Sequence, residues 1–129
     1  MQIKQFEEIE AWKEARHLTQ MVYEITERNE LKKDFGLTGQ IQRAAVSIMS
    51  NIAEGFDSGS KAEFIRFLGY SRRSTSEVQC HLYVTLDQGY ITREKFNMVY
   101  QQAEKTRKLV SAFIRYLRGT GQPANRPTG

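Results

Sequence analysis

Four stretches of the chain repeat apolar side chains at three- and four-residue steps, the period of an amphipathic helix. The first covers residues 8–27 and lines up Ile9, Trp12, Ala15, Leu18, Val22 and Ile25 on one face. The second covers residues 38–54, with Ile41, Ala44, Ala45, Ile48 and Ile52 as its stripe. Its adjacent alanines leave room for a neighbouring backbone. The third opens at Ser60-Lys61-Ala62-Glu63, a capping-box pattern in which the hydroxyl caps one end amide and the Glu reaches back. Phe64, Leu68, Ser71, Thr75, Val78, Leu82 and Leu86 follow at alternating four- and three-residue steps, with Ser71 and Thr75 keeping the seam slim, and Gly89 ends the helix. The fourth begins at the cap Thr92 and runs to about residue 118, with Phe96, Val99, Ala103, Thr106, Val110, Phe113, Ile114 and Leu117 inward.

Between these stretches, residues 28–36 read as a loop closed by Gly36. Thr38 is the expected cap of the second helix, and Gly55 its expected left-handed terminator. Asp57-Ser58-Gly59-Ser60 is a turn. No stretch alternates with period two. The pattern predicts an all-α antiparallel up-down-up-down four-helix bundle over residues 1–119, followed by a disordered C-terminal tail at 120–129. On the third helix, Phe67, Tyr70 and Ser74 form a second seam beside the first. Tyr23, Tyr70, Tyr83, Tyr100 and Tyr116 have no clear place in the core stripes, with Tyr100 and Tyr116 toward the edges of the fourth-helix stripe. Apolar surface left over after packing within the chain predicts a homo-oligomer.

Composition narrows the class. At 129 residues and 40% hydrophobic content, the chain supports one domain with one core. The single Cys80 excludes a disulfide framework or a thiolate metal cage and fits a reducing compartment. The polar, acidic N-terminus is not a secretory signal, and no apolar run approaches the roughly 20 residues needed to span a bilayer. A cytoplasmic protein with no membrane partner is the expectation.

Charge is unevenly placed. Residues 1–60 carry seven Lys/Arg against ten Asp/Glu, a net of −3; residues 91–129 carry eight against two, a net of +6. At about 100° per residue, Lys105, Lys108 and Arg115 share one sector of the fourth helix opposite its apolar stripe, with Arg107 and Arg118 at the edge. Arg72, Arg73 and Lys61 extend the patch from the third helix. Such a face can neutralise phosphates, which predicts RNA or DNA as partner. The plainer reading is a charged surface that keeps the bundle soluble.

A second cluster is more central. Arg43, Asn51 and Glu54 lie near the second-helix stripe, while Arg66, Ser74 and Glu77 belong to the third helix. A carboxylate beside an arginine is the raw material of acid–base chemistry. The pattern favours a structural polar network that fixes helix register or a subunit contact. Glu14-Ala15-Arg16-His17 is one Glu-x-x-His, but a di-iron bundle needs two, and His81 follows Glu77 by four. No nucleophile has an adjacent base and no phosphate-binding loop is present. The expectation is a non-enzyme with no metal site, no catalytic residue and no cofactor.

The central motifs resemble a known family. Phe35-Gly36-Leu37-Thr38, Gln40-Ile41-Gln42-Arg43-Ala44-Ala45-Val46-Ser47-Ile48, Ser50-Asn51-Ile52-Ala53-Glu54-Gly55 and Ser60 through Leu68 are similar to the signature of the four-helix bundle proteins named for reading frames in intervening sequences of bacterial 23S rRNA genes. The family usually has proline where this chain has Met49, which predicts a straighter second helix. The resemblance implies ring-shaped homopentamers. It also implies kinship in fold with the accessory variability protein of diversity-generating retroelements, a basic pentamer that binds nucleic acid and a reverse transcriptase. Two expectations follow: an oligomeric nucleic-acid-binding or scaffolding module, or an adaptor whose basic face docks a protein such as a reverse transcriptase.

Overall fold

The computed structural model describes residues 2–119. Among these residues are one 3-10 turn, Phe6–Glu8, and five α-helices: α1 (Glu10–Thr26), α2 (Asn29–Lys33), α3 (Phe35–Asp57), α4 (Lys61–Asp87) and α5 (Arg93–Gly119). No strand occurs among the described residues, and the tail expected at 120–129 lies outside them. Among the described residues, no helix is long and apolar enough to cross a membrane. Met49 sits within α3, which runs without interruption.

The four long helices close a circuit: α1 packs on α3, α3 on α4, α4 on α5, and α5 on α1. Their apolar stripes meet in one cluster. Trp12, Leu86 and Phe113 are half-buried, and every other apolar stripe residue named above is buried. Each fully buried Leu, Ile or Val contributes about 1.5–3 kcal/mol relative to exposure. The seam hydroxyls cost little because each finds an acceptor. Ser71 Oγ donates to the Ile48 carbonyl across the α3–α4 contact at 2.8 Å. Thr75 and Thr106 bond back to their own helices. Thr19 Oγ1 donates to the Ala15 carbonyl at 2.9 Å and reaches the Ala45 carbonyl at 3.3 Å. The small alanines therefore admit α1, whose hydroxyl bridges to α3.

Three local expectations are corrected. The loop at 28–36 contains α2, whose Leu31 is fully buried. The helix expected to start at Thr38 starts at Phe35, because the Asp34 carboxylate accepts from the Leu37 amide at 3.1 Å. Thr38 instead donates its hydroxyl to the Leu31 carbonyl at 2.8 Å, tying α2 to α3. Gly55 lies inside α3 and is buried; the positive φ of the following turn falls on Gly59, at 75°. A β-carbon on Gly55 would meet the third-segment aromatics, so its role is close helix contact. The capping box is half made. Ser60 Oγ accepts from the Glu63 amide at 3.2 Å, while the Ser60 amide donates to Ser58 Oγ.

Candidate nucleic-acid interface

α5 spreads its cations over more than one environment. Lys105 leans toward α1, its Nζ 3.5 Å from Glu14 Oε1. Gln102 donates to the same carboxylate at 2.8 Å. The Gln102 hydrogen bond, joined by the charge of Lys105, holds the Glu14 carboxyl below its ordinary range against the opposing effect of burial. Arg107 lies on the other flank and donates through Nε and Nη2 to Glu104. Gln79 of α4 donates to Glu104 at 3.0 Å. Arg107 first, then Gln79, bring the Glu104 carboxyl down to about 2. Two of the five α5 cations expected in the patch are thus partly neutralised by the chain's own acids.

The remaining three are different. Lys108, Arg115 and Arg118 are exposed and make no ion pair among the described residues. Arg72 on α4 is likewise exposed and without an ion pair. Arg73 is exposed and rests over the Tyr70 ring, 5.8 Å from its centroid. Lys61 is exposed at the start of α4.

Two cross-links set the level at which α4 and α5 meet. Gln79 bonds Glu104, and the Phe64 and Phe113 rings make an edge contact at 5.3 Å. Arg72 falls between those levels on α4, as Arg107 and Lys108 do on α5. Lys61 lies beyond Phe64, and Arg115 and Arg118 lie beyond Phe113. Along the α4–α5 pair the cations therefore fall at two levels, a middle group and an end group. Tyr83 of α4 and Tyr116 of α5 are exposed as well.

The expected polar cluster divides. Ser74 Oγ donates to Ser47 Oγ at 3.0 Å, and Asn51 Nδ2 donates to Ser47 Oγ at 3.0 Å and to its carbonyl at 2.8 Å. Arg43 and Glu77 line one groove with Ser47 and His81; Arg43, Asn51 and Glu54 line another with Tyr23 and Val46. Arg66 stands apart, bound to Glu63 at 2.6 Å and to the Tyr70 hydroxyl at 2.7 Å. Ser74 is buried in the α3–α4 contact, so it does not belong to an outward second seam with Tyr70. Ser47, the hub, escaped sequence reasoning because a serine beside an apolar stripe looks like any helix-surface residue. The Glu104–Arg107 pair was readable as an i,i+3 spacing; the reach of Glu14 to α5 was not. Among the described residues no group of three or more His, Cys, Asp or Glu side chains is placed to hold a metal.

Fold and surface together define a small all-helical protein with a cationic side formed by its last two long helices. The chain belongs to the 23S rRNA-intervening sequence protein family, whose pattern it matches over residues 7–112. It is also similar to a solved structure from Bacteroides thetaiotaomicron VPI-5482, described as a protein of unknown function from the S23 ribosomal protein family. The two share 24% identity and a TM-score of 0.75 over 81% of this chain and 95% of the other, a likeness of fold. Comparison with curated proteins finds no match.

Proposed function

We propose that the chain is an antiparallel four-helix bundle that assembles with copies of itself and binds nucleic acid through its α4–α5 side. The carrying observation is that Lys108, Arg115, Arg118 and Arg72 are exposed and lack ion pairs among the described residues. Antiparallel packing is supported by the cross-helix bonds. Thr19 reaches Ala45 while Gln42 donates to Thr26, so residue numbers rise on α1 as they fall on α3. Self-association is supported by exposed apolar side chains, including Phe35, Tyr83, Met98 and Tyr116. Five copies is the number the family resemblance implies, and repetition would multiply weak phosphate contacts into useful affinity. Contacts to phosphate carry no base information, so binding would be indifferent to sequence.

Filter binding to RNA and to DNA across a salt series tests the reading. Affinity that falls linearly in log–log form with salt is expected. Absence of binding at low salt, with the oligomer intact by light scattering, rejects it.

A protein-adaptor function is the second reading. It is favoured by Glu14 and Glu104, which already neutralise two of the expected cations, and by the exposed Tyr83 and Tyr116 on the same two helices. A reverse transcriptase is the partner the resemblance implies. Capture of such a protein that survives nuclease would move the function to this reading.

A further inference from the structure

The end of the molecule where α1 leads into α2 and α4 into α5 holds an open cavity of about 400 Å³, lined by none of the cations discussed above. That volume lies within the roughly 300–1,000 Å³ typical of small-molecule sites. Its walls include Ile25, Arg28, Tyr90, Ile91, Thr92 and Lys95. Arg28 and Lys95 converge from different elements, and neither makes an ion pair among the described residues. No carboxylate lines the cavity, although Glu27, Glu30 and Glu94 are close in sequence. The nearby Asp34 carboxylate is occupied, accepting from the Tyr90 hydroxyl at 3.0 Å and from the Leu37 amide.

The apolar part of the wall is fixed in place. Ile25 belongs to the buried core, and Ile91 packs against it. Tyr90 is held at both ends, by its hydroxyl on Asp34 and by its amide, which donates to the Thr85 carbonyl at 3.0 Å. Thr92 caps α5 by accepting from the Lys95 amide at 3.1 Å, so a 27-residue helix starts at the rim and adds to the positive potential of the two side chains.

We infer that this cavity binds a phosphate monoester carrying a planar or apolar body, the class that includes a nucleoside monophosphate and the phosphorylated end of a strand. Two cations match a group that carries about −1.5 to −2 charge near neutral pH. Ile25, Ile91 and the Tyr90 ring match the body. A bare inorganic anion leaves that apolar wall uncovered, and a neutral nucleoside leaves both cations unmatched. The site is separate from the proposed nucleic-acid face and stands independently of it.

The test is an amide NMR titration of the full chain with AMP, alongside adenosine and inorganic phosphate. AMP is expected to shift amides at 25–29 and 89–95 and to bind at least about tenfold more tightly than adenosine. The paired substitutions Arg28→Gln and Lys95→Gln, both exposed, should weaken AMP by about tenfold or more while helical circular dichroism is unchanged. Should the pair perturb the fold, Lys95→Gln alone serves, with a smaller loss expected. Equal binding of adenosine and AMP, an unchanged affinity in the variant, or shifts confined to α5 beyond residue 104 would overturn the assignment. A competition arm separates the sources. A 5′-phosphorylated oligonucleotide that displaces AMP where its 5′-hydroxyl counterpart does not identifies a strand end, and failure of both identifies a free nucleotide. Displacement by both alike means that the cavity reads internal phosphodiesters, and the monoester assignment falls.

Discussion

A β-carbon built on Gly55 would lie 2.8 Å from Cδ1 of Phe64 and 2.9 Å from Cβ of Phe67. This is where the end of α3 turns back onto the start of α4, and hydrogen alone fits between them. Ordinary helix propensity favours Ala over Gly by about 1 kcal/mol, whereas overpacking a tight contact costs about 1–3 kcal/mol. One of the clashing atoms is a β-carbon, which moves only with its backbone, so the second effect wins. Gly55→Ala should destabilise by about 1–2 kcal/mol in urea denaturation. Gly69, within α4, has nothing within 4 Å of its β-position. Gly69→Ala should therefore stabilise by about 0.5–1 kcal/mol. The opposite signs are the check.

Helix stripes were legible because a local period of 3.6 residues survives any tertiary arrangement. Ile41, Ile48, Leu68 and Val110 could be placed inward from spacing alone, and all are fully buried. What failed was everything decided by one residue in two possible roles. Gly55 has the composition of a helix terminator, but its neighbour in space is Phe64, and sequence spacing does not show that. Leu31 sits in a helix of five residues, too short to display a period. On the candidate interface, the sector containing Lys105 and Lys108 was readable from the helical angle. That Lys105 faces Glu14 was not, since the partner lies on another helix.

Leu31 gives a second measurement. It is fully buried, and α2 is joined to α3 by the Thr38 hydroxyl on its carbonyl. Truncation leaves a cavity at the end of the core, so Leu31→Ala should cost about 2–5 kcal/mol. Chemical denaturation reads it. A loss under about 0.5 kcal/mol would mean that α2 is a surface turn with no part in the core.

Acid titration isolates the Glu104 cluster. Its carboxyl titrates at about 2 in the folded chain against an ordinary value of 4.5. A depressed carboxylate contributes stability that is complete above the unfolded value and lost as pH falls through the folded one. The window therefore runs from about pH 4.5 down to about pH 2. The Glu104 and Arg107 side chains are 31% and 35% exposed, and solvent screening limits the contribution to about 1 kcal/mol or less. Urea midpoints of the parent protein and Glu104→Gln should differ most at neutral pH and converge toward pH 2. Parallel curves would show that Glu104 is not depressed.

Salt dependence tests the cationic side residue by residue. Each lysine or arginine that engages a phosphate of duplex nucleic acid contributes about 0.9 to the slope of log affinity against log salt. Lys108 and Arg115 have no ion pair among the described residues, so replacing each by Gln should lower the slope by about that amount and weaken all sequences alike. Lys105 is already matched by Glu14, so Lys105→Gln should change the slope less. Glu104→Gln removes the partner of Arg107 and should steepen the slope by up to about 0.9 as that guanidinium becomes available. An increase in affinity on deleting an acid is hard to obtain from a general loss of folding. A Glu104→Gln variant that binds no more tightly, together with Lys108→Gln and Arg115→Gln variants of unchanged slope, would move nucleic-acid binding to another surface.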